Sequence, residues 1–150
     1  MSAIAHKIAS SENIRQHTAQ QQQTLVILPL PTESFGSPTK WWRTREPGSY
    51  SCGDLRHLRR TLIRIQTISD KEWSAAIRGY AAASIAVSIR QLNKHVISAI
   101  EVDVALSAVL ACAIEGDITS PVMLSSALRR RSKIDPKCHR LVELWLNARR

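Results

Sequence analysis

The composition of this chain changes abruptly near residue 53, and the change limits which part can build a hydrophobic core. Residues before it are rich in Gln, Ser, Thr and Pro. From there to the end, apolar residues recur at spacings of three and four, as in amphipathic helices. Roughly a hundred residues suffice for one core. We therefore predict a low-order tail and linker over 1–52 and a helical bundle domain over 53–150.

The first half of the predicted bundle contains two helices. Asp54 can cap the first one. The buried face of this helix carries Leu55, Leu58, Leu62 and Ile65. Ser69 and Glu72 match a capping box at the start of the second helix. Apolar residues on two sides of that helix predict a central position, and Gly79 would permit close packing there.

Three more helices are predicted downstream. The third covers about 96–115 and ends at Gly116, which suits a C-terminal cap. The fourth and fifth begin near Pro121 and Pro136, because proline is favoured in the first helical turn. Short connections join the helices. The prediction for the whole chain is therefore all-α, with a compact bundle of about five helices behind a largely disordered N-terminal tail that contains Gln, Ser and Pro.

Two segments before residue 53 differ from the polar tail. Residues 25–30 are strongly apolar, and Leu25, Ile27 and Leu28 favour an extended conformation. Trp41 and Trp42 lie next to arginine in a turn-rich linker. Either segment can cover the chain's own helices or contact a partner protein. The sequence leaves both interpretations open.

The charge balance points to an acidic partner. The net charge is +9 and the pI is near 10.2. Residues 53–150 hold 16 Lys and Arg against nine Asp and Glu, so the helical part supplies most of the excess. Such a balance attracts phosphate-rich or acidic partners, most strongly at low salt.

The cations concentrate in two stretches. They are Arg56, Arg60 and Arg64 on the first predicted helix, and Arg129, Arg130, Arg131 and Lys133 at the end of the fourth. We predict phosphate contacts for both stretches. A solvated face, supported by the macrodipole at helix C-termini, is the alternative. One continuous positive face would favour nucleic acid, whereas separation by an acidic third helix would favour a protein partner.

Residues 109–131 also allow a helix-turn-helix. Gly116 would lie in the turn, and Ser120, Ser125 and Ser126 would face DNA ahead of the arginines. Asp117 fits this arrangement poorly, because an apolar residue is usual at that position and an acidic one would lie near phosphates.

Catalytic chemistry is not indicated. The chain lacks a nucleophile elbow, a glycine-rich phosphate loop and a His-Glu-x-x-His pattern. Cys138 and His139 have no second pair at zinc-ligand spacing. The chain has an odd number of cysteines, Cys52, Cys112 and Cys138, and we expect no structural disulfide. Cys112 lies in an apolar run, so we expect it to be buried. The longest apolar run is shorter than the about 20 residues that span a bilayer. We expect a cytoplasmic protein that is not an enzyme and uses no metal or cofactor.

These observations lead to two functional hypotheses. The first is a small basic regulatory protein that binds DNA or RNA through its arginine-rich helix surfaces. The second is a protein-interaction adaptor or inhibitor that uses its helical surface or its N-terminal apolar and Trp segments. Homodimerisation through the second apolar face of the second predicted helix is compatible with both.

Overall fold

The computed structural model describes residues 36–148, which form helices and connecting turns. The elements are a 3₁₀ helix (Pro38–Arg43), α1 (Cys52–Arg64), α2 (Trp73–Ile77), α3 (Ala81–Lys94), α4 (Ile100–Ile114), α5 (Ser120–Arg131) and α6 (Cys138–Asn147). No strand occurs among these described residues. The all-α prediction is confirmed, and residues 36–148 contain six α-helices where about five were predicted. The predictions for the tail, including Leu25, Ile27 and Leu28, lie outside the described residues.

Helix α4 forms the centre of the bundle. Its side chains are buried continuously from Val102 to Cys112. The 3₁₀ helix, α1, α3 and α5 all pack against it, and α6 packs mainly on α5. A helix that is apolar on all sides takes the buried position. The prediction that the second helix would be central is therefore wrong, because Tyr80 and Ile89 of its predicted apolar faces are 64% and 46% exposed, whereas α4 is buried on all sides.

The predicted second helix is in fact two helices, α2 and α3, separated at Gly79. Gly79 has a φ of +104°, in the left-handed region that favours glycine. Its N–H donates to the Ala76 carbonyl, and the Tyr80 N–H donates to the Ala75 carbonyl. This pair of hydrogen bonds is typical of a helix that ends at glycine. Gly116, with a φ of +97°, ends α4 in the same way, as predicted.

Hydrogen bonds at the helix starts agree with only part of the prediction. A capping box begins α1, in which the Ser51 hydroxyl accepts from the Asp54 N–H and the Asp54 carboxylate accepts from the Ser51 N–H. Asp54 is thus the third helical residue and Ser51 is the cap. The box predicted from Ser69 and Glu72 does not form. Instead, the Asp70 carboxylate accepts from the Glu72 N–H at 2.9 Å.

The segment just before α1 belongs to the core. Trp42 has no exposed surface, and only 4% of Trp41 is exposed. The hydroxyl of Ser107 on α4 donates to the Thr39 carbonyl at 3.0 Å. The hydrophobic core therefore includes residues that precede the change of composition near residue 53.

Candidate nucleic-acid interface

Five arginines form ion pairs that join separate elements of the fold. The pairs are Arg43–Asp103 (2.8 Å), Arg45–Asp54 (3.2 Å), Arg59–Glu115 (2.6 Å), Arg140–Glu46 (2.7 Å), and Arg90 with both Asp70 (2.7 Å) and Glu72 (2.5 Å). They use most of the carboxylates between residues 36 and 148. Arg43, Arg45 and Arg59 are mostly buried in these pairs, whereas the Arg140 side chain is 76% exposed. Cations without any carboxylate partner are therefore the first candidates for a binding surface.

The most buried of these pairs lies between the 3₁₀ helix and α4. The Asp103 carboxylate accepts from Arg43 Nε at 2.9 Å, from Arg43 Nη2 at 2.8 Å and from Trp42 Nε1 at 3.1 Å. Its hydrogen bond raises the pKa of the Arg43 guanidinium, which stays charged. We call these three residues the Arg43 clamp.

The clamp corrects the expectation of an acidic surface on the third predicted helix. Asp103 is a core residue with 3% of its surface exposed. Glu115 pairs with Arg59, and Asp117 caps the start of α5. The acidic middle of the sequence therefore serves the interior and the helix ends, and it does not form a negative strip between the two basic stretches.

Trp41 and Trp42 cover the bundle's own core. Trp41 Nε1 donates to the Gly36 carbonyl at 2.9 Å, and its ring centroid lies 5.9 Å from that of His57. The Arg45 guanidinium lies 4.8 Å from the Trp41 ring centroid. In this structure neither indole is accessible to a partner protein, so the placement agrees with the covering interpretation.

Arg56, Arg60 and Arg64 are all exposed on α1, and we call them the α1 stripe. None of them forms an ion pair with a residue of the described range. Helix geometry places successive members about 6 Å apart along the axis, and all three within an arc of about 80°. The one carboxylate of α1, Asp54, is already bound by Arg45. The stripe is thus a row of uncompensated positive charge.

The second predicted basic stretch contacts the end of α3. Arg129, Arg130 and Lys133 are exposed, and Arg131 is half-buried. The Arg130 guanidinium donates to the Leu92 carbonyl at 3.3 Å. The Arg131 guanidinium donates to the Ile97 carbonyl at 3.2 Å. These two arginines therefore also hold the joint between α3 and α4.

The two basic stretches lie on elements with different neighbours. Helix α1 packs against α4, the 3₁₀ helix and α2, whereas α5 packs against α6, α4 and α3. Within residues 36–148, no hydrogen bond or ion pair connects the α1 stripe to residues 129–133. The structure instead brings Lys94 and His95 beside Arg130 and Lys133. The sequence pattern did not single out these two residues, although basic and aliphatic residues are mixed between 92 and 97.

The helix-turn-helix prediction is wrong for two of its three serines. Ser120 and Ser125 are buried. The Ser125 hydroxyl donates to the Pro121 carbonyl at 2.8 Å, and the Ser120 N–H and hydroxyl donate to Asp117. Burial tends to raise the pKa of Asp117, but hydrogen bonds from Ser120 and Thr119 outweigh this and lower it. Residues that cap and pack α5 cannot face DNA.

Of the three cysteines, Cys52 is exposed, whereas Cys112 and Cys138 are buried. No three His, Cys, Asp or Glu side chains between residues 36 and 148 lie close enough to hold a metal ion. Burial raises the pKa of the Cys138 thiol, which favours its neutral form. Cys112 is buried, as predicted. In the same part of the chain, no helix has the length and apolar character needed to cross a membrane.

Comparisons of the chain with protein-family models, with curated proteins and with solved structures found no match. Function is therefore inferred from the surfaces described above.

Proposed function

We propose that this chain is a small, basic, non-enzymatic regulatory protein that binds DNA or RNA, with the α1 stripe as its main phosphate-contacting surface. The observation that supports the proposal is the stripe itself, a row of exposed arginines without a carboxylate partner in the described region. The net charge of +9 adds long-range attraction for a polyanion.

The dimensions of the stripe favour an extended polyanion over a compact anion. Its ends are separated by about 12 Å along the helix axis, too far for one phosphate or carboxylate to bridge. A nucleic-acid strand presents phosphates continuously, about one per 3.4 Å of rise in duplex DNA. Successive guanidinium groups can therefore meet successive parts of one backbone. Such contacts supply affinity and position without reading the sequence.

Helix stability does not explain the stripe. Arg64 lies in the last turn, where the macrodipole favours a cation, but Arg56 lies near the N-terminus, where it does not. Arg56 with Arg60 and Arg60 with Arg64 are like-charge pairs at i,i+4, each destabilising by about 0.2–0.5 kcal/mol. Arg59 on the same helix is ion-paired with Glu115. Helix α1 thus carries Arg59, which pairs within the fold, next to the arginines of the stripe, which do not.

The test is a fluorescence-anisotropy titration of a labelled single-stranded oligonucleotide and of a duplex of equal length. The affinity of the wild-type protein should fall steeply as salt rises. Arg56→Gln/Arg60→Gln/Arg64→Gln should weaken binding at least tenfold at low salt. The slope of log affinity against log salt should become shallower by about two to three, because each lost phosphate contact removes about 0.7–0.9.

The matched control removes the same charge elsewhere. Lys40→Gln/Arg78→Gln/Lys137→Gln replaces three exposed cations outside the stripe, and should weaken binding less than threefold. Equal losses in the two triple variants would show that net charge alone governs binding. Absence of binding to either oligonucleotide at low salt would contradict the proposal.

An interaction adaptor is the second candidate, and a different surface favours it. Its predicted apolar segment at 25–30 lies outside the described residues, and Trp41 and Trp42 are buried. The helical surface remains for this hypothesis. The part that fits a protein partner lies where α3 and α5 end, because exposed aliphatic side chains and cations occur there together.

A further inference from the structure

The ends of α3 and α5 flank an open surface depression of about 780 Å³, which we call the α3–α5 cleft. Its aliphatic lining residues are Leu92, Val96, Ile97 and Ile134. Leu92 is buried, whereas Val96 and Ile134 are 72% and 62% exposed. Ile100, which follows the same joint, is 60% exposed. Large aliphatic side chains exposed together mark a surface that another molecule covers.

Four basic side chains line the same cleft: Lys94, His95, Arg130 and Lys133. No carboxylate is among the lining residues. Lys94, Arg130 and Lys133 form no ion pair within the described part of the chain. Lys94 lies close enough to Asp70 to help lower the pKa of that carboxylate, but within the cleft lining itself the positive charge has no acidic partner.

Hydrogen bonds hold the walls of the cleft in place. Arg130 and Arg131, at the end of α5, donate to the carbonyls of Leu92 and Ile97 on either side of the joint after α3. Arg131 Nε is buried and has no hydrogen-bond partner among the described residues. A binding site that is formed before its ligand arrives loses less conformational freedom on binding.

We propose that the α3–α5 cleft binds a short acidic segment of a partner protein, anchored by aliphatic side chains. The carboxylates of such a segment would meet Lys94, Arg130 and Lys133, and its aliphatic residues would cover Val96 and Ile134. This proposal goes beyond nucleic-acid binding and does not depend on the α1 stripe.

Charge and lining chemistry argue against other occupants. Single-stranded nucleic acids bind where aromatic side chains stack on bases, and no Phe, Tyr or Trp lines this cleft. A phosphate backbone also has no apolar surface to cover Val96 and Ile134. A second copy of this chain carries a net charge of +9, so its approach is opposed by like-charge repulsion. An acidic and aliphatic peptide matches both parts of the lining.

The test is selection of peptides from a phage-displayed library of random twelve-residue sequences against the full-length protein. The enriched sequences should combine Asp or Glu with Leu, Ile or Val. Affinity for the best synthetic peptide should fall at least tenfold in Lys94→Glu/Lys133→Glu and, separately, in Val96→Ser/Ile134→Ser. All four replaced residues are exposed, and circular dichroism checks that each variant keeps its helical content.

The stripe variant Arg56→Gln/Arg60→Gln/Arg64→Gln serves as the control and should bind the peptide with wild-type affinity. This control separates a failure of the cleft from a failure of nucleic-acid binding. No enrichment, or enrichment of sequences without carboxylates, would overturn the proposal. Displacement of the peptide by an oligonucleotide would also overturn the proposal, if that displacement required Lys94 and Lys133. A dimer that Val96→Ser/Ile134→Ser dissociates would assign the cleft to a second copy instead.

Discussion

The Arg43 clamp and the α1 stripe use the same type of side chain in opposite surroundings. In the clamp, the guanidinium is largely buried and a carboxylate neutralises it. In the stripe, three guanidinium groups are exposed, and no carboxylate of the described range pairs with them. The charges of the clamp neutralise each other, whereas those of the stripe have no acidic partner in that part of the chain. Only the arginines without a carboxylate partner therefore indicate where an acidic partner could bind.

Breaking the clamp should give the largest effect on stability. Asp103→Ala removes the acceptor for Arg43 and Trp42 and leaves a buried cation unpaired, which costs about 3–5 kcal/mol. Urea unfolding followed by circular dichroism measures this loss. Glu101→Ala is the control on the same helix, because Glu101 forms no ion pair within residues 36–148. It should lose less than about 0.5 kcal/mol. Equal losses would show that the clamp does not secure the core.

The clamp is an example of a contact that the sequence alone does not predict. Gly116 and Pro121 signal helix boundaries correctly, because a cap depends on neighbouring residues alone. Asp103 and Arg43 are 60 positions apart, and their contact exists only once the 3₁₀ helix packs on α4. An aspartate inside an apolar run was a signal that a buried cation is needed, but it did not identify which arginine supplies it.

The same distinction applies to the candidate binding surfaces. The stripe was predicted because a spacing of four places Arg56, Arg60 and Arg64 on one side of any α-helix. Lys94 and His95 were not predicted, because tertiary packing alone brings the end of α3 beside the end of α5. Local periodicity therefore predicts a surface within one helix, whereas a cleft between two helices requires the fold.

Arg59 and Arg60 are adjacent on α1, but only Arg59 forms an ion pair with a described residue. Comparing their variants separates the effect of a paired arginine from that of an unpaired one. Arg59 donates to Glu115 Oε2 at 2.6 Å and to the Ile77 carbonyl at 2.9 Å. Arg59→Gln should therefore reduce the free energy of unfolding by about 1–2 kcal/mol and leave oligonucleotide affinity within threefold of wild type. Arg60→Gln should not reduce stability, because it removes two like-charge pairs that each destabilise the helix by about 0.2–0.5 kcal/mol, and it should weaken binding. Urea unfolding and anisotropy on the same preparations measure both quantities, and the opposite pattern would refute the assignment of the stripe.

Lowering the pH should remove the stabilisation that the ionised Asp54 carboxylate provides through its pairing with Arg45. Partial burial tends to raise the pKa of Asp54, but hydrogen bonds from Arg45 and Ser51 outweigh it and lower the pKa to about 2. The unfolded value is about 3.9, so the stabilisation is present above pH 4 and is lost as the pH falls towards 2. Solvent screening limits the contribution to about 1 kcal/mol. In Asp54→Asn, urea unfolding at pH 5 and at pH 2.5 should show a smaller difference than in the wild type. An unchanged difference would exclude Asp54 as its source.

The smallest effect is expected in the stripe, and it should be a gain of stability. Arg56→Gln removes one like-charge pair with Arg60 and a cation near the N-terminus of α1, so the free energy of unfolding should rise by about 0.3–0.5 kcal/mol. Thermal unfolding at low and high salt measures it, and the gain should shrink at high salt because exposed charges are screened. Oligonucleotide affinity should fall in the same variant. A loss of stability would mean that Arg56 supports the helix, and the stripe would then need no ligand to explain it.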